Sequence, residues 1–157
     1  EGLRIQIVDE QNRPMFKSGG SDLKPYTREI LRQIGKSLNG VKNRISLAGH
    51  TDAANYVGGS QGFSNLELSA NRANASRREL VVGGMDDAKV LRVVGLASTV
   101  LFDQNDPLNS VNRRISILVH NKKTENSNLQ EEGPESEEAE ELPEGLQLPA
   151  GAKGTAG

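Results

Sequence analysis

The sequence contains no cysteine and no tryptophan, and aromatic residues make up 3% of it. The lack of cysteine excludes disulfide bonds, thiol catalysis and cysteine-ligated metal sites, although it identifies no cellular compartment. Because aromatic side chains are so scarce, a hydrophobic core must be built from Ile, Leu, Val and Ala.

Long hydrophobic runs are also missing. The sequence has no stretch of about 18 apolar residues and no signal-peptide pattern. A length of 157 residues predicts about one domain. Because the chain begins almost directly inside a strand-like pattern, we expect it to be part of a longer protein whose targeting or membrane segment lies upstream.

The net charge of −2 hides a strong asymmetry between the two parts of the chain. After Thr124 there are nine Glu and one Lys, which leaves 18 basic and 12 acidic side chains before it, so the body carries +6 and the tail −8. A segment this acidic has too little apolar surface to compensate the entropy of ordering. We therefore predict a domain over residues 1–123 and a disordered acidic tail over 124–157. A contact between the tail and the basic body is the alternative interpretation.

Hydrophobic spacing in the body predicts two helices and four strands. The predicted elements are a strand over residues 3–7, a helix over 25–38, a strand over 44–49, a helix over 65–82, and strands over 90–96 and 113–120. This order, β-α-β-α-β-β, indicates an α/β (α+β) fold with two layers, in which a mixed sheet has its helices on one face.

The stretch over residues 49–72 joins a strand end, a glycine-rich loop and the start of a helix. Ser64 and Glu67 have the spacing of a capping box, which marks the N-terminus of that helix. Asn65, Ser69 and Arg72 then lie on one helical stripe. Ligands of open α/β sheets often bind between a strand end and a helix N-terminus, so we expect a site here.

Patterns typical of enzymes are weak in this stretch. His50 lies at a strand end, but there is no H-E-x-x-H or H-x-E pattern for zinc and no G-x-S-x-G nucleophile elbow. The glycines over residues 58–62 lack the lysine and spacing of a phosphate-binding loop. We expect no catalytic residues, no metal, no cofactor and no nucleic-acid partner, and we interpret His50 as a structural residue.

A binding function fits better. Asp52 and Arg72 stand at the two ends of the loop and can meet the two poles of a zwitterion, the guanidinium taking a carboxylate and the aspartate an ammonium group. Such charge-assisted hydrogen bonds contribute about 1.5–3 kcal/mol each. A plain salt bridge between Asp52 and Arg72 is the competing interpretation, and the pattern alone does not separate the two.

Several motifs together resemble the OmpA-like peptidoglycan-binding domain. They are Gly49-His-Thr-Asp52, Asn65-x-x-Leu68-Ser69-x-x-Arg72-Ala73, Gly95, and Asn112-Arg113-Arg114 before the last strand. The resemblance covers nearly the whole body. The first strand region, residues 73–84 and residues 90–95 look most like the flagellar stator branch of this family.

The resemblance implies an OmpA-like sandwich with a four-stranded sheet, and peptidoglycan as the ligand, held at its diaminopimelate. By the same resemblance, Asp52 and Arg72 hold the diaminopimelate and Thr51, Asn65, Leu66 and Ser69 line the pocket. Arg113 closes the pocket, with Arg114 as the alternative, because neighbouring residues of a strand point to opposite faces. Asn55 stands where many members have glycine, and residues 56–63 lengthen the loop.

For the whole protein, the resemblance implies a periplasmic domain anchored in the inner membrane by an upstream helix. It also implies a homodimer, MotA as partner through that helix, and contact with P-ring components of the flagellum. Two alternatives remain open at this point. One is an outer-membrane protein or lipoprotein that uses the same wall-binding site, and the other is a wall-acting enzyme.

Overall fold

The computed structural model describes residues 2–10, 13–54 and 64–121. Asn55, the loop over residues 56–63 and the predicted tail over 124–157 lie outside these ranges. The main elements are β1 (Gly2–Val8), α1 (Pro25–Asn39), β2 (Ile45–His50), α2 (Asn65–Val82), β3 (Val90–Gly95) and β4 (Arg114–His120). The predicted β-α-β-α-β-β order is confirmed, and each predicted boundary lies within one or two residues of the observed one.

The four strands form one mixed sheet in the order β1-β4-β2-β3. β4 is antiparallel to both β1 and β2, whereas β2 and β3 are parallel. Parallel neighbours require a crossover connection, which α2 supplies. The sheet therefore matches the mixed sheet predicted from the element order.

Both helices pack on the same face of the sheet. Alternate residues of β2 and β4 point to that face, and Ile45, Leu47 and Ile117 are almost completely buried there. Leu31 of α1 and Leu80 of α2 belong to the same core cluster. The core is thus mainly aliphatic, as the scarcity of aromatic residues requires, and Phe16 is its one aromatic member among the described residues.

The two helices begin as their sequences predict. Pro25 occupies the first turn of α1, where its missing N–H is not needed. At α2 the Ser64 hydroxyl accepts a hydrogen bond from the Leu66 N–H (3.2 Å), and the Glu67 carboxylate accepts one from the Ser64 N–H (2.7 Å). This capping box lowers the pKa of Glu67, chiefly through its hydrogen bond with the Ser64 side chain.

The segment between β1 and α1 folds back on itself. Phe16 and Leu23 form an isolated antiparallel bridge, and both side chains are buried. The Lys24 N–H donates to the Met15 carbonyl at 2.8 Å. This segment is therefore a tight turn that contributes Phe16 to the core. Within the described ranges, neither helix combines the length and apolar character that crossing a bilayer requires.

Candidate ligand-binding site

The candidate site lies where β2 ends, α2 begins and β4 starts. Gly49 and Gly95 allow α2 to lie unusually close to β2 and β3, because a Cβ at Gly49 would collide with the backbone oxygen of Ser69 and one at Gly95 would lie 2.5 Å from the Ala70 nitrogen. The side chains of the first turns of α2 consequently stand next to the residues that follow β2.

Asp52 forms its ion pair with Arg113. The Arg113 Nη1 donates to Asp52 Oδ2, and Asp52 Oδ1 accepts from the Ala54 N–H at 3.0 Å. Among the described residues, Asp52 is therefore paired with Arg113 and not with Arg72, so the plain Asp52–Arg72 salt bridge is not the arrangement found. The Asp52 residue is 9% exposed.

Arg113 is held from a second side by Asp9, at the end of β1. The Arg113 Nε donates to Asp9 Oδ2 at 2.9 Å, and the Asp9 N–H donates to the Arg113 carbonyl at 2.9 Å. Burial lowers the pKa of Arg113, but the hydrogen bonds to Asp9 and Asp52 outweigh this and raise it overall. Arg113 is therefore a fixed cation between two carboxylates.

Arg72 is buried, and its side chain extends from α2 toward the turn after β1. Its Nε donates to the Gly20 carbonyl at 2.9 Å, and its guanidinium lies 4.8 Å from the centre of the Phe16 ring. A cation over an aromatic face is attracted by the ring quadrupole. Arg72 thus joins α2 to the segment between β1 and α1.

The other predicted site residues differ in burial and in their hydrogen bonds. Thr51 and Ser69 are buried, and both form hydrogen bonds within the fold. Thr51 Oγ1 donates to the Asp52 carbonyl at 2.9 Å, and Ser69 Oγ accepts from the Ala97 N–H at 3.1 Å. The Asn65 amide donates to the Ala54 carbonyl at 2.7 Å, which ties the helix start to the loop after β2. Leu66 is 55% exposed and presents an apolar surface at the first turn of α2.

Arg114 lies on the opposite face of the sheet from the core. It pairs in register with His50, and its Nη2 donates to the Val100 carbonyl at 2.9 Å. Its guanidinium lies 5.6 Å from the centre of the Phe102 ring. The structure therefore brings Arg113 to Asp52 and does not bring Arg114 there.

Two residues that organise the candidate site were not predicted from the sequence. Asp9 is 3% exposed and binds both Arg113 and the Met15 N–H (2.7 Å), yet it lies 104 residues from Arg113. Asn112 is completely buried, and its side chain organises the preceding loop by accepting from the Asp103 N–H at 2.7 Å and donating to the Asp106 carbonyl at 3.0 Å. The role of Asp9 has no local sequence signal, because it depends on a contact across the fold, whereas Asn112 contacts residues only six and nine positions earlier in the chain.

An open pocket of about 330 Å³ adjoins Arg113. Its other lining residues come from the loop before β4 and are Asp106, Leu108, Asn109 and Ser110. The site therefore combines a cation, a nearby carboxylate and room for a polar ligand. No group of three metal-binding side chains occurs among the residues described by the structure.

Comparison with known proteins identifies the family and the fold of the chain. Residues 15–114 match the OmpA family. The chain belongs to the OmpA family. Its fold is also that of solved OmpA-like domains: the periplasmic domain of Helicobacter pylori MotB has a TM-score of 0.65 at 20% identity, with 85% of this chain and 88% of that chain covered. The predicted OmpA-like sandwich is confirmed.

Two relatives that are similar in sequence indicate the branch of the OmpA family that the chain resembles. The chain is 61% identical over 131 residues to Motility protein B of Escherichia coli strain K12, covering 83% of this chain and 42% of that protein. It is 32% identical over 103 residues to the peptidoglycan-associated lipoprotein of Pseudomonas aeruginosa, covering 65% and 58%. The chain thus spans less than two thirds of the length of these curated relatives.

Proposed function

We propose that this chain is a non-catalytic, periplasmic domain that binds peptidoglycan and anchors a flagellar stator to the cell wall, so that torque can be generated. The observation that carries the proposal is the Asp52–Arg113 pair beside an open pocket, in a chain 61% identical to a Motility protein B. The name of the lipoprotein relative supports peptidoglycan as the ligand. The resemblance to that lipoprotein is limited to the domain that the two proteins share, so it does not imply a lipid anchor for this chain.

The site residues suit the side-chain end of diaminopimelate, which carries an ammonium and a carboxylate on one carbon. In the proposed complex, Asp52 accepts from the ammonium group, while Arg113 and Arg72 supply cations for the carboxylate. Leu66 offers an apolar contact, and Asn65 extends the polar rim. Thr51 and Ser69 stabilise the backbone of the site. Arg114 lies on the opposite face of the sheet from the core, so it does not contact the ligand in this complex.

Binding requires an exchange of partners. The Asp52 carboxylate already has a charge-assisted hydrogen bond from Arg113, so a ligand that brings both charges replaces one ion pair by two. A charge-assisted hydrogen bond contributes about 1.5–3 kcal/mol. The net gain is therefore modest, so we expect each domain to bind one peptide stem of the polymer weakly.

The wider role of the protein is part of the same proposal. We infer a homodimer, MotA as partner through an upstream helix in the inner membrane, and contact with P-ring components. The 61% relative supports this stator assignment over the lipoprotein alternative. The upstream sequence of the full-length protein distinguishes them, since a membrane helix with one carboxylate fits the stator and a lipid-attached cysteine fits the lipoprotein.

Co-sedimentation with insoluble peptidoglycan tests the proposal. We expect the wild-type chain to pellet and Asp52→Asn to bind at least tenfold more weakly, because about 1.4 kcal/mol corresponds to a factor of ten. Asp87→Asn is the matched control, since Asp87 forms an exposed ion pair with Arg77 on a distant part of the chain. Both variants must keep the wild-type circular dichroism spectrum.

Two outcomes would contradict the proposal. Equal pelleting of wild type and folded Asp52→Asn would show that Asp52 takes no part in binding. Release of soluble wall fragments during incubation would indicate an enzyme and remove the anchoring function in favour of wall cleavage.

A further inference from the structure

The sheet face opposite the helices is polar and positively charged. Strand register places three arginines there, one on each of three strands: Arg4 on β1, Arg92 on β3 and Arg114 on β4. A hydrogen bond of 2.7 Å between Ser46 Oγ and His120 Nε2 confirms which side chains share this face. We call it the basic face; its members are Arg4, Gln6, Val8, Ser46, Ala48, His50, Arg92, Val94, Arg114, Ser116, Leu118 and His120.

No carboxylate belongs to the basic face among the described strand residues. This matters because its cations act on one another. The pKa of His50 is lowered to about 4, first by burial and then by the positive charges of Arg114 and Arg4. Burial, followed by the charge of Arg4, also lowers the pKa of Arg114. The described strand residues of the face thus contribute positive charges and no negative charge.

Buried polar atoms on the same face lack partners. His50 is 4% exposed, Arg114 5% and Ser116 3%. Within the described ranges, no hydrogen-bond partner is present for either ring nitrogen of His50, for Arg114 Nε or for Ser116 Oγ. Buried polar groups in folded proteins are almost always hydrogen-bonded, so these atoms keep hydrogen-bonding capacity that the described residues do not use.

We propose that the basic face is the docking surface of the acidic C-terminal segment, residues 124–157, whose glutamates pair with its arginines. The segment has nine Glu and one Lys, whereas the preceding body has a net charge of +6. The charges are therefore complementary. This inference is independent of wall binding, because Asp52 and Arg113 do not belong to the basic face.

The chain geometry places the segment within reach. β4 ends at His120, a member of the basic face, so the segment starts at the edge of its own docking surface. From Asn121 to the first glutamate cluster at Glu131, about ten residues can span roughly 33 Å. The seven residues of β4 cover only about 23 Å, so the cluster can reach Arg114 at the far end of the strand.

A spin label in the acidic segment tests the docking directly. Because the sequence has no cysteine, Ser136→Cys provides a single labelling site between Glu135 and Glu137 in the full chain. We expect the label to broaden amide signals of β1, β3 and β4 around the basic face. Raising the salt concentration to about 1 M, where the Debye length is about 3 Å, should remove the broadening.

Two charge variants act as matched controls in the labelled chain. Arg4→Gln removes a cation of the basic face and should reduce the broadening, whereas Arg28→Gln removes an exposed cation from α1 and should leave it unchanged. Replacement of all nine glutamates of the segment by glutamine should abolish it. Unchanged amide dispersion shows that each variant is folded.

The proposal is overturned by any of three results in folded protein. The first is the absence of broadening at low salt. The second is broadening centred on α1, on α2 or on the residues around Asp52. The third is equal broadening in the Arg4→Gln and Arg28→Gln variants, which would indicate attraction without a defined surface.

Discussion

Arg113 is the residue through which the candidate site is connected to the first strand. Its guanidinium is shared by Asp52, at the end of β2, and Asp9, at the end of β1. Asp9 also accepts from the Met15 N–H and so fixes the turn that follows β1. A carboxylate outside the ligand pocket thereby sets the orientation of a cation inside it.

Asp9→Asn should weaken wall binding without removing it. The amide keeps the shape and one acceptor oxygen but loses the charge that holds the Arg113 Nε. We expect a three- to tenfold loss of affinity in co-sedimentation, consistent with about 1 kcal/mol for a hydrogen bond. Arg113→Lys in the Asp9→Asn background separates the roles: if Asp9 acts through Arg113, the two losses are not additive. Additive losses would contradict a positioning role.

His50 should make stability depend on pH. Its pKa is about 4 in the folded chain, against 6.5 for an ordinary histidine, because of burial and the nearby Arg114 and Arg4. The unfolded chain takes up a proton as the pH falls below 6.5, whereas the folded chain does not until about 4. The stability contributed by neutral His50 is therefore complete above pH 6.5 and lost as the pH approaches 4.

Urea unfolding at pH 7.5 and pH 4.5 measures this effect. We expect the free energy of unfolding to fall by about 2 kcal/mol more in the wild type than in His50→Gln, after allowance for solvent screening. The carboxylates contribute equally to both proteins and cancel in the difference. The same pH dependence in both proteins would show that His50 is protonated without cost.

At the scale of the elements, the position of α2 depends on two glycines of the sheet. Gly49 of β2 and Gly95 of β3 are neighbours in register, and both face the first half of α2. Their lack of a Cβ lets the helix backbone approach the sheet closely, so that the Ser69 hydroxyl reaches the Ala97 N–H. The site therefore owes its geometry to close packing behind it.

Gly49→Ala should destabilise the fold and displace α2. The new methyl group would collide with the Ser69 backbone, and overpacking of this kind costs about 1–3 kcal/mol. Thermal unfolding followed by circular dichroism measures the loss. Gly20→Ala is the control, because a Cβ there has its nearest contact at 3.7 Å. Equal melting temperatures for the two variants would show that α2 can shift without penalty.

The elements themselves were predictable because their signals are local. Strand alternation near Ile5 and Ile117, the proline at the start of α1 and the capping box at Ser64 each lie within a few residues, and the structure confirms them. The site was predicted only in part. Asp52 was found from the loop motif, but its pairing with Arg113 depends on how β2 and β4 align.

Contacts across the sheet explain what the sequence could not show. The role of Asp9 requires β1 to pair with β4, at the opposite end of the chain, and alternation along β4 allowed either Arg113 or Arg114 to reach the site. The boundary between the domain and the acidic tail remains a prediction, as does the ligand role of each site residue.

At the scale of the whole molecule, the two faces of the sheet differ in their side chains and in what packs against them. The aliphatic face is covered by α1 and α2. The basic face carries three arginines, and buried polar atoms of His50, Arg114 and Ser116 have no hydrogen-bond partner among the described residues. A chain with a net charge of −2 thus places three arginines on one face of its sheet. If the acidic segment covers the basic face, anionic polymers of the cell envelope cannot reach the arginines of that face.

The pairing of β1 with β4 has a mechanical consequence. Seven residue pairs join these strands, from Gly2 with His120 to Val8 with Arg114, and the candidate site lies at the Val8 end. Tension that enters at Gly2 and is resisted by a ligand at Arg113 would run parallel to β1. The hydrogen bonds of the ladder would then be strained together in shear, and would not open one after another as in peeling.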